Sequence, residues 1–323
     1  MQAFPKLLVL VVACIAAVSP GAAETAPELL AQGRVDDAIA SLQVKLSKTP
    51  NDASSHHFLC RAYYALGRWD AGIQECEKAI ALEPGNGQFH LWAGRIYGEK
   101  ADRSSFLSAA GYARKTRTEF ETAVRLEPDN VAARTDLAEY YIEAPGIMGG
   151  GKDKAQAQAQ ALAKLDPAKA HWVSARLAEK QKDSTAAVAE YRAAIEASHG
   201  SASAWLDLAL FYRHTGRPAE MEDAIQHAST APLNQPGVLV DGAEMLIQAS
   251  RNFPLATQLL RRYLTVGPTV EEAPAFKAHY LLGTVLEKQG DKQAAAGEYR
   301  AALSLAKGFA PAQEALKRVP STE

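Results

Sequence analysis

Aromatic residues are scarce: tryptophan, tyrosine and phenylalanine make up 7% of the 323 residues. Strands rely on aromatic and β-branched side chains to fill a pleated surface, so sandwiches and barrels are disfavoured. Excess charge of one sign is missing too, the formal net charge being −2. That argues against a polyanion-binding surface built on bulk charge, and so against nucleic acid as a partner. Cysteine is limited to three residues, too few for a disulfide-stapled miniature fold. Past the N-terminal segment no run approaches the roughly 18 apolar residues of a membrane-spanning helix. What the chain does have is alanine, 63 residues of it. Small side chains suit closely packed helices, and an all-α fold follows.

Residues 1–23 read as an export signal. Lys6 supplies a positive start, Leu7 to Val18 an apolar stretch, and Gly21-Ala22-Ala23 small residues before Glu24; the apolar stretch is too short to span a bilayer. Cleavage after Ala23 would release the chain beyond the cytoplasm, into a bacterial periplasm or the medium. Val11-Val12-Ala13-Cys14 offers an alternative, lipidation of Cys14 and anchoring at the envelope. Against it, the apolar stretch continues through Ile15 to Val18.

The rest of the chain is a repeat. Pro50, Pro84, Pro128 and Pro167 each close a similar short stretch, with Pro50 and Pro84 separated by 34 residues. Numbering each repeat from starts at Ser19, Ala53, Gly87, Val131, Ala168, Ala202, Gly237 and Phe276 aligns small residues in three columns. Column 8 holds Cys60, Gly94, Ala138, Ala175, Ala209 and Gly283. Column 20 holds Ala38, Gly72, Ala155, Ala187, Ala256 and Ala295, and column 27 holds Ala79, Ala123, Ala194, Ala228 and Ala302. Helices approach to about 8–10 Å only where facing side chains are small. Large residues fill columns 11 and 24, and glycines at 33, 67, 216 and 290 fall at the turn.

These columns and the 34-residue period resemble the tetratricopeptide repeat family, and bacterial exported members of it in particular. The resemblance implies an α-solenoid, a right-handed superhelix of about eight helical hairpins spanning residues 24–323. Insertions at 99–115 and 143–153 lengthen the third and fourth repeats, and residues 312–317 would cap the open end. It also implies a protein–protein interaction scaffold rather than an enzyme, needing no cofactor. Column positions that face inward in the family pick out His57, Arg61, Tyr64, Leu91, Arg95, Glu139, Trp172, Arg176, Leu206, Arg213 and Tyr280. Arginines there could pair with a partner's carboxylates, and aromatic side chains could anchor an extended or helical peptide. The Lys and Asn with which some members grip a chaperone's C-terminus are replaced here by His57 and Arg61, then Leu91 and Arg95.

Other chemistry is thin. Gly146 to Lys152 satisfies the glycine spacing of a phosphate-binding loop. However, Asp153 stands where a magnesium-holding hydroxyl is needed, and a helix rather than a strand precedes it. A left-handed connector is the simpler reading. His56, His57 and His90 form no convergent metal set, and no nucleophile constellation is present. Cys60 and Cys76 lie level on the two helices of one hairpin. We take them as two buried thiols, with a disulfide as the alternative, because Cβ directions are not readable from sequence.

Overall fold

The computed structural model describes residues 24–231, 236–266, 271 and 273–319, those at 106 and 107 in their backbone only. The export signal and Cys14 lie outside the described residues. Within them the chain is helical, with no strand. Eight antiparallel hairpins follow one another. The first four are Ala26–Ala31 (α1) with Val35–Lys48 (α2), Ala53–Ala65 (α3) with Trp69–Leu82 (α4), Gly87–Asp102 (α5) with Phe106–Leu126 (α6), and Val131–Glu143 (α7) with Lys152–Leu165 (α8). Then come Pro167–Lys180 (α9) with Ser184–Ala197 (α10), Ala202–His214 (α11) with Pro218–Thr230 (α12), Val238–Gln248 (α13) with Phe253–Val266 (α14), and Ala275–Lys288 (α15) with Lys292–Leu305 (α16). Ala310–Arg318 (α17) ends the array. The insertion at 99–115 lengthens α5 and α6, the latter to 21 residues. The one at 143–153 forms a connector with a single 3₁₀ turn at Gly146–Met148.

Local chemistry sets the helix ends. The side chains of Asp52, Asn130, Asp166 and Asp291 accept from the backbone N–H groups of Ser55, Ala133, Lys169 and Ala294, capping first-turn donors that have no partner inside the helix. Gly33, Gly67, Gly216 and Gly290 take φ of 74°, 68°, 69° and 89° at the hairpin turns, a region that side chains disfavour.

The columns interlock as rings over glycines. A Cβ on Gly94 would lie 2.4 Å from the ring of Phe120, and one on Gly283 would lie 2.6 Å from that of Tyr299. In these two hairpins column 8 is glycine where column 24 is aromatic. Across each of four hairpins a polar staple is added. Nδ1 of His56, His90, His171 and His279 meets the carboxylates of Glu75, Glu119, Glu190 and Glu298 at 2.5–2.8 Å. Nε2 of His56 and His90 faces the carbonyl oxygens of Pro50 and Pro84, in the preceding repeat, at 2.9 and 3.0 Å. His90 can donate from both nitrogens only as an imidazolium. Its hydrogen bond to Glu119 accordingly holds its pKa above the ordinary histidine value, against the opposing pull of burial.

The cysteines correct the sequence expectation. Cys60 on α3 and Cys76 on α4 are joined by a disulfide, with Cα atoms 5.2 Å apart, so they are not free thiols. Facing small columns bring the two helices close enough for the bond. Constraining a separation of 16 residues in the unfolded chain is worth about 3 kcal/mol on the entropic model.

The solenoid closes on itself. Leu29, Leu30, Val35 and Ala38 of the first hairpin share one buried cluster with Phe276, Ala302, Ala306 and Ala312 of the last elements. A Cβ on Gly33 would sit 2.5 Å from the backbone nitrogen of Ala275, and the Lys307 N–H donates to Asp36 Oδ2 at 2.8 Å. The two ends of the array therefore cover one another along a seam.

Two glycines of the last hairpin separate packing from propensity. Gly283→Ala should lower stability by about 1–2 kcal/mol, since overpacking against the buried Tyr299 ring outweighs the helix propensity gained. Gly297→Ala, with nothing within 4 Å of the new Cβ, should raise stability by about 0.5–1 kcal/mol. Urea denaturation of both variants checks the pair.

Candidate functional site

A cavity of about 1790 Å³ lies inside the closed turn. The first helices of hairpins two to four and eight wall it, together with α6, the 143–153 connector and the segment leading into α17. Five of the residues expected to face inward do so: Arg61, Tyr64, Arg95, Glu139 and Tyr280. Six do not. His57, Leu91, Trp172 and Leu206 are buried, none more than 9% exposed. All four stand at column 5, and the sharp curvature turns that column toward the neighbouring first helix. His57 shows this directly, stacking on Phe89 of α5 with centroids 4.7 Å apart. Burial, with Arg61 nearby, pushes its pKa down to about 3, so it stays neutral. Arg176 and Arg213 lie outside the cavity lining.

The arginines are already engaged, which corrects the expectation that they await a partner's carboxylates. The Arg61 guanidinium lies over the rings of Phe58 and Trp92 at 5.1 and 4.6 Å. It also donates twice to Glu271, Nε to Oε1 at 2.8 Å, across the seam. Arg95 Nε donates to Asp136 Oδ2 at 2.7 Å, and its guanidinium lies over the same Trp92 side chain at 4.9 Å. Arg176 is held among Glu139, Glu143 and Glu179, and Arg213 donates to Gln248. Lys277 pairs with Glu244 at 2.7 Å.

Sequence reasoning missed Trp69, Trp92, Asp136, Glu271, Lys277 and Phe309, all of which line the cavity. Trp92 and Asp136 share column 6, so admitting that column would have found them. Glu271 and Phe309 enter through closure of the seam, for which a repeat alignment carries no signal. Ile147, at the tip of the 143–153 connector, also lines the cavity and is 92% exposed.

The connector itself is pinned. The Met148 carbonyl accepts from Tyr140 Oη at 2.8 Å and Arg117 at 3.2 Å. Lys152, the lysine of the glycine-rich motif, donates to Gln181. Gly149 is left-handed, with φ 89°. Among the described residues no group of three or more His, Cys, Asp or Glu is placed to hold a metal. No described helix is long and apolar enough to cross a membrane.

Carboxylates dominate what remains. Burial raises the pKa of Asp136 despite Arg95, and that of Glu139 despite Arg176. On α11 and α13, burial pushes Asp207 and Asp241 up to about 6. Asp207 accepts from Trp172 and has Lys169 at 3.9 Å. Asp241 is open to water yet walled by protein, with Lys277 and Glu244 as its charged neighbours.

Models of the tetratricopeptide repeat match residues 29–91, and again 149–202, 175–231 and 243–317. A curated relative, sperm-associated antigen 1 of Rattus norvegicus, is 30% identical over 112 residues, covering 35% of this chain but 11% of that protein. Similar solved structures include a thermophilic tetratricopeptide repeat protein of Thermus thermophilus, at 19% identity and TM-score 0.48, covering 58% of this chain and 94% of that one. Yeast Tom70 is 16% identical with TM-score 0.49, covering 88% and 59%. A tetratricopeptide repeat protein of Parabacteroides merdae is 15% identical with TM-score 0.39, covering 82% and 97%.

The raised pKa of Asp241 gives a pH signature. A carboxyl whose native pKa lies above its unfolded value binds more protons when folded. Its stabilising effect is thus complete at low pH and lost as pH rises through about 6. Asp241→Asn should therefore melt higher than the parent at about pH 7.5, with the gap narrowing as pH falls through 6 toward 4. Thermal unfolding followed by circular dichroism across that range checks it.

Proposed function

The chain belongs to the tetratricopeptide repeat family and is a protein–protein interaction scaffold; from that premise we propose that it takes a protein or peptide segment in its central cavity, outside the cytoplasm. The observation that carries the reading is the character of the cavity wall. Tyr64, Trp69, Trp92, Tyr280 and Phe309 line it beside the solvent-open Ile147. Aromatic side chains bury large area with few torsions to freeze, which is the property of a binding anchor. The salt bridges of Arg61 and Arg95 hold that wall in place, so the groove is preorganised and less ordering cost falls on binding.

Export is supported by the Cys60–Cys76 disulfide, since such bonds persist in oxidising compartments, and by the character of residues 1–23. Cleavage after Ala23 frees the scaffold, whereas lipidation at Cys14 tethers it at the envelope. Neither form calls for catalysis, and the pinned connector at 143–153 gives the glycine-rich motif a structural role.

A photoreactive amino acid placed at Ile147 or Tyr64, compared with Val44 on α2, tests the cavity in living cells. Val44 is exposed and does not line the cavity. A discrete crosslinked adduct should form from Ile147 and Tyr64 and be absent from Val44. Adducts from Val44 alone, the same adducts from all three, or none at any position would contradict a partner in the cavity.

A further inference from the structure

Resting on that reading of the cavity, we infer that its occupant is a cation-bearing segment, an extended stretch of polypeptide presenting Lys or Arg side chains to α7 and α13. The choice follows from which groups are left over. Five cations line the cavity against seven acids. Arg61, Arg95 and Lys277 are each tied to a carboxylate of the same chain, as is Arg103 to Glu99, and Arg114, exposed on α6, has no ion pair among the described residues. Beyond Arg114, a visitor bearing carboxylates would have to displace those pairs, leaving the original acids unpaired.

The acids are not matched in the same way. Glu139 lines the cavity with its side chain half exposed, and its nearest cation, Arg176, is 3.8 Å away and closer to Glu143 and Glu179. Asp241, a helical turn before the cavity-lining Glu244, has neither hydrogen bond nor ion pair among the described residues. Asp207 stands between them electrostatically, repelled by Asp241 and itself repelling Glu139. Glu139 thus shares the cavity lining with Tyr280 and Phe309, and Asp241 lies one turn from Glu244, which also lines it. Ammonium or guanidinium groups would satisfy those acceptors, and the aromatic wall would take the aliphatic stems and any apolar side chains between them.

The test uses the full chain and two labelled probe peptides of equal length, one alternating Lys and Tyr, the other Glu and Tyr. Fluorescence anisotropy should show the Lys–Tyr peptide binding and the Glu–Tyr peptide not. The double variant Glu139→Gln/Asp241→Asn should weaken the Lys–Tyr peptide about tenfold, a loss of charge pairing on binding. The same variant should melt no lower than the parent, because the charges it removes are ones the fold alone leaves unmatched. Weaker binding with undiminished stability is an outcome that a purely structural role for these acids would not produce. Tighter binding of the Glu–Tyr peptide, no binding of either, or unchanged affinity in the double variant would overturn the inference. Adducts at Ile147 in cells together with any of these results would retire the cationic occupant alone. Their absence as well would retire the cavity.

Discussion

Close approach of facing helices governs this structure. Small residues set against large ones hold the paired helices together, as Gly94 does beneath the Phe120 ring and Gly283 beneath that of Tyr299. Repeated along eight hairpins, close helix packing bends the array until Leu29 and Leu30 meet Phe276 and Ala312 in one cluster. Repeat proteins ordinarily contact only their sequence neighbours and leave two ends exposed. Here each end covers the other, and the inner face of the solenoid becomes the wall of a cavity.

Closure also decides the electrostatics of that cavity. Arg61 would be a free donor on an open concave face. In the closed turn Arg61 reaches Glu271, distant in sequence, and Arg95 reaches Asp136 on the next hairpin. Trp92 lies beneath both guanidinium groups. Ion pairs of this kind fix the aromatic wall rather than advertise charge. The balance left to a visitor is acidic, although the chain as a whole is nearly neutral.

The helical class, the hairpin count and the turn glycines were legible in the sequence because each depends on contacts that recur every repeat. The inner face was only partly legible. Column 9 was read correctly at Arg61, Arg95 and Glu139, but column 5 was not, since His57, Leu91, Trp172 and Leu206 turn into the neighbouring helix. How far a face rotates depends on the curvature of the whole array, a property no single repeat encodes. The histidine–glutamate staples were half visible: His56 and His90 stood out at column 4, while Glu75 and Glu119 lay in second helices that offered no reason to pair them. The seam lay beyond sequence reading altogether, because Arg61 and Glu271 share no repeat position that would bring them together. The disulfide stood between these cases, with its register readable and its Cβ directions not.

Closure of the array is the claim on which the cavity, the Arg61–Glu271 pair and the cavity's occupant all depend. A distance measured between spin labels at Asp37→Cys and Lys307→Cys, on exposed positions either side of the seam, tests it most directly; the native disulfide is buried away from the label. A single narrow population at short separation is the result that closure predicts. A broad population extending to the long separations of an open superhelix would contradict it.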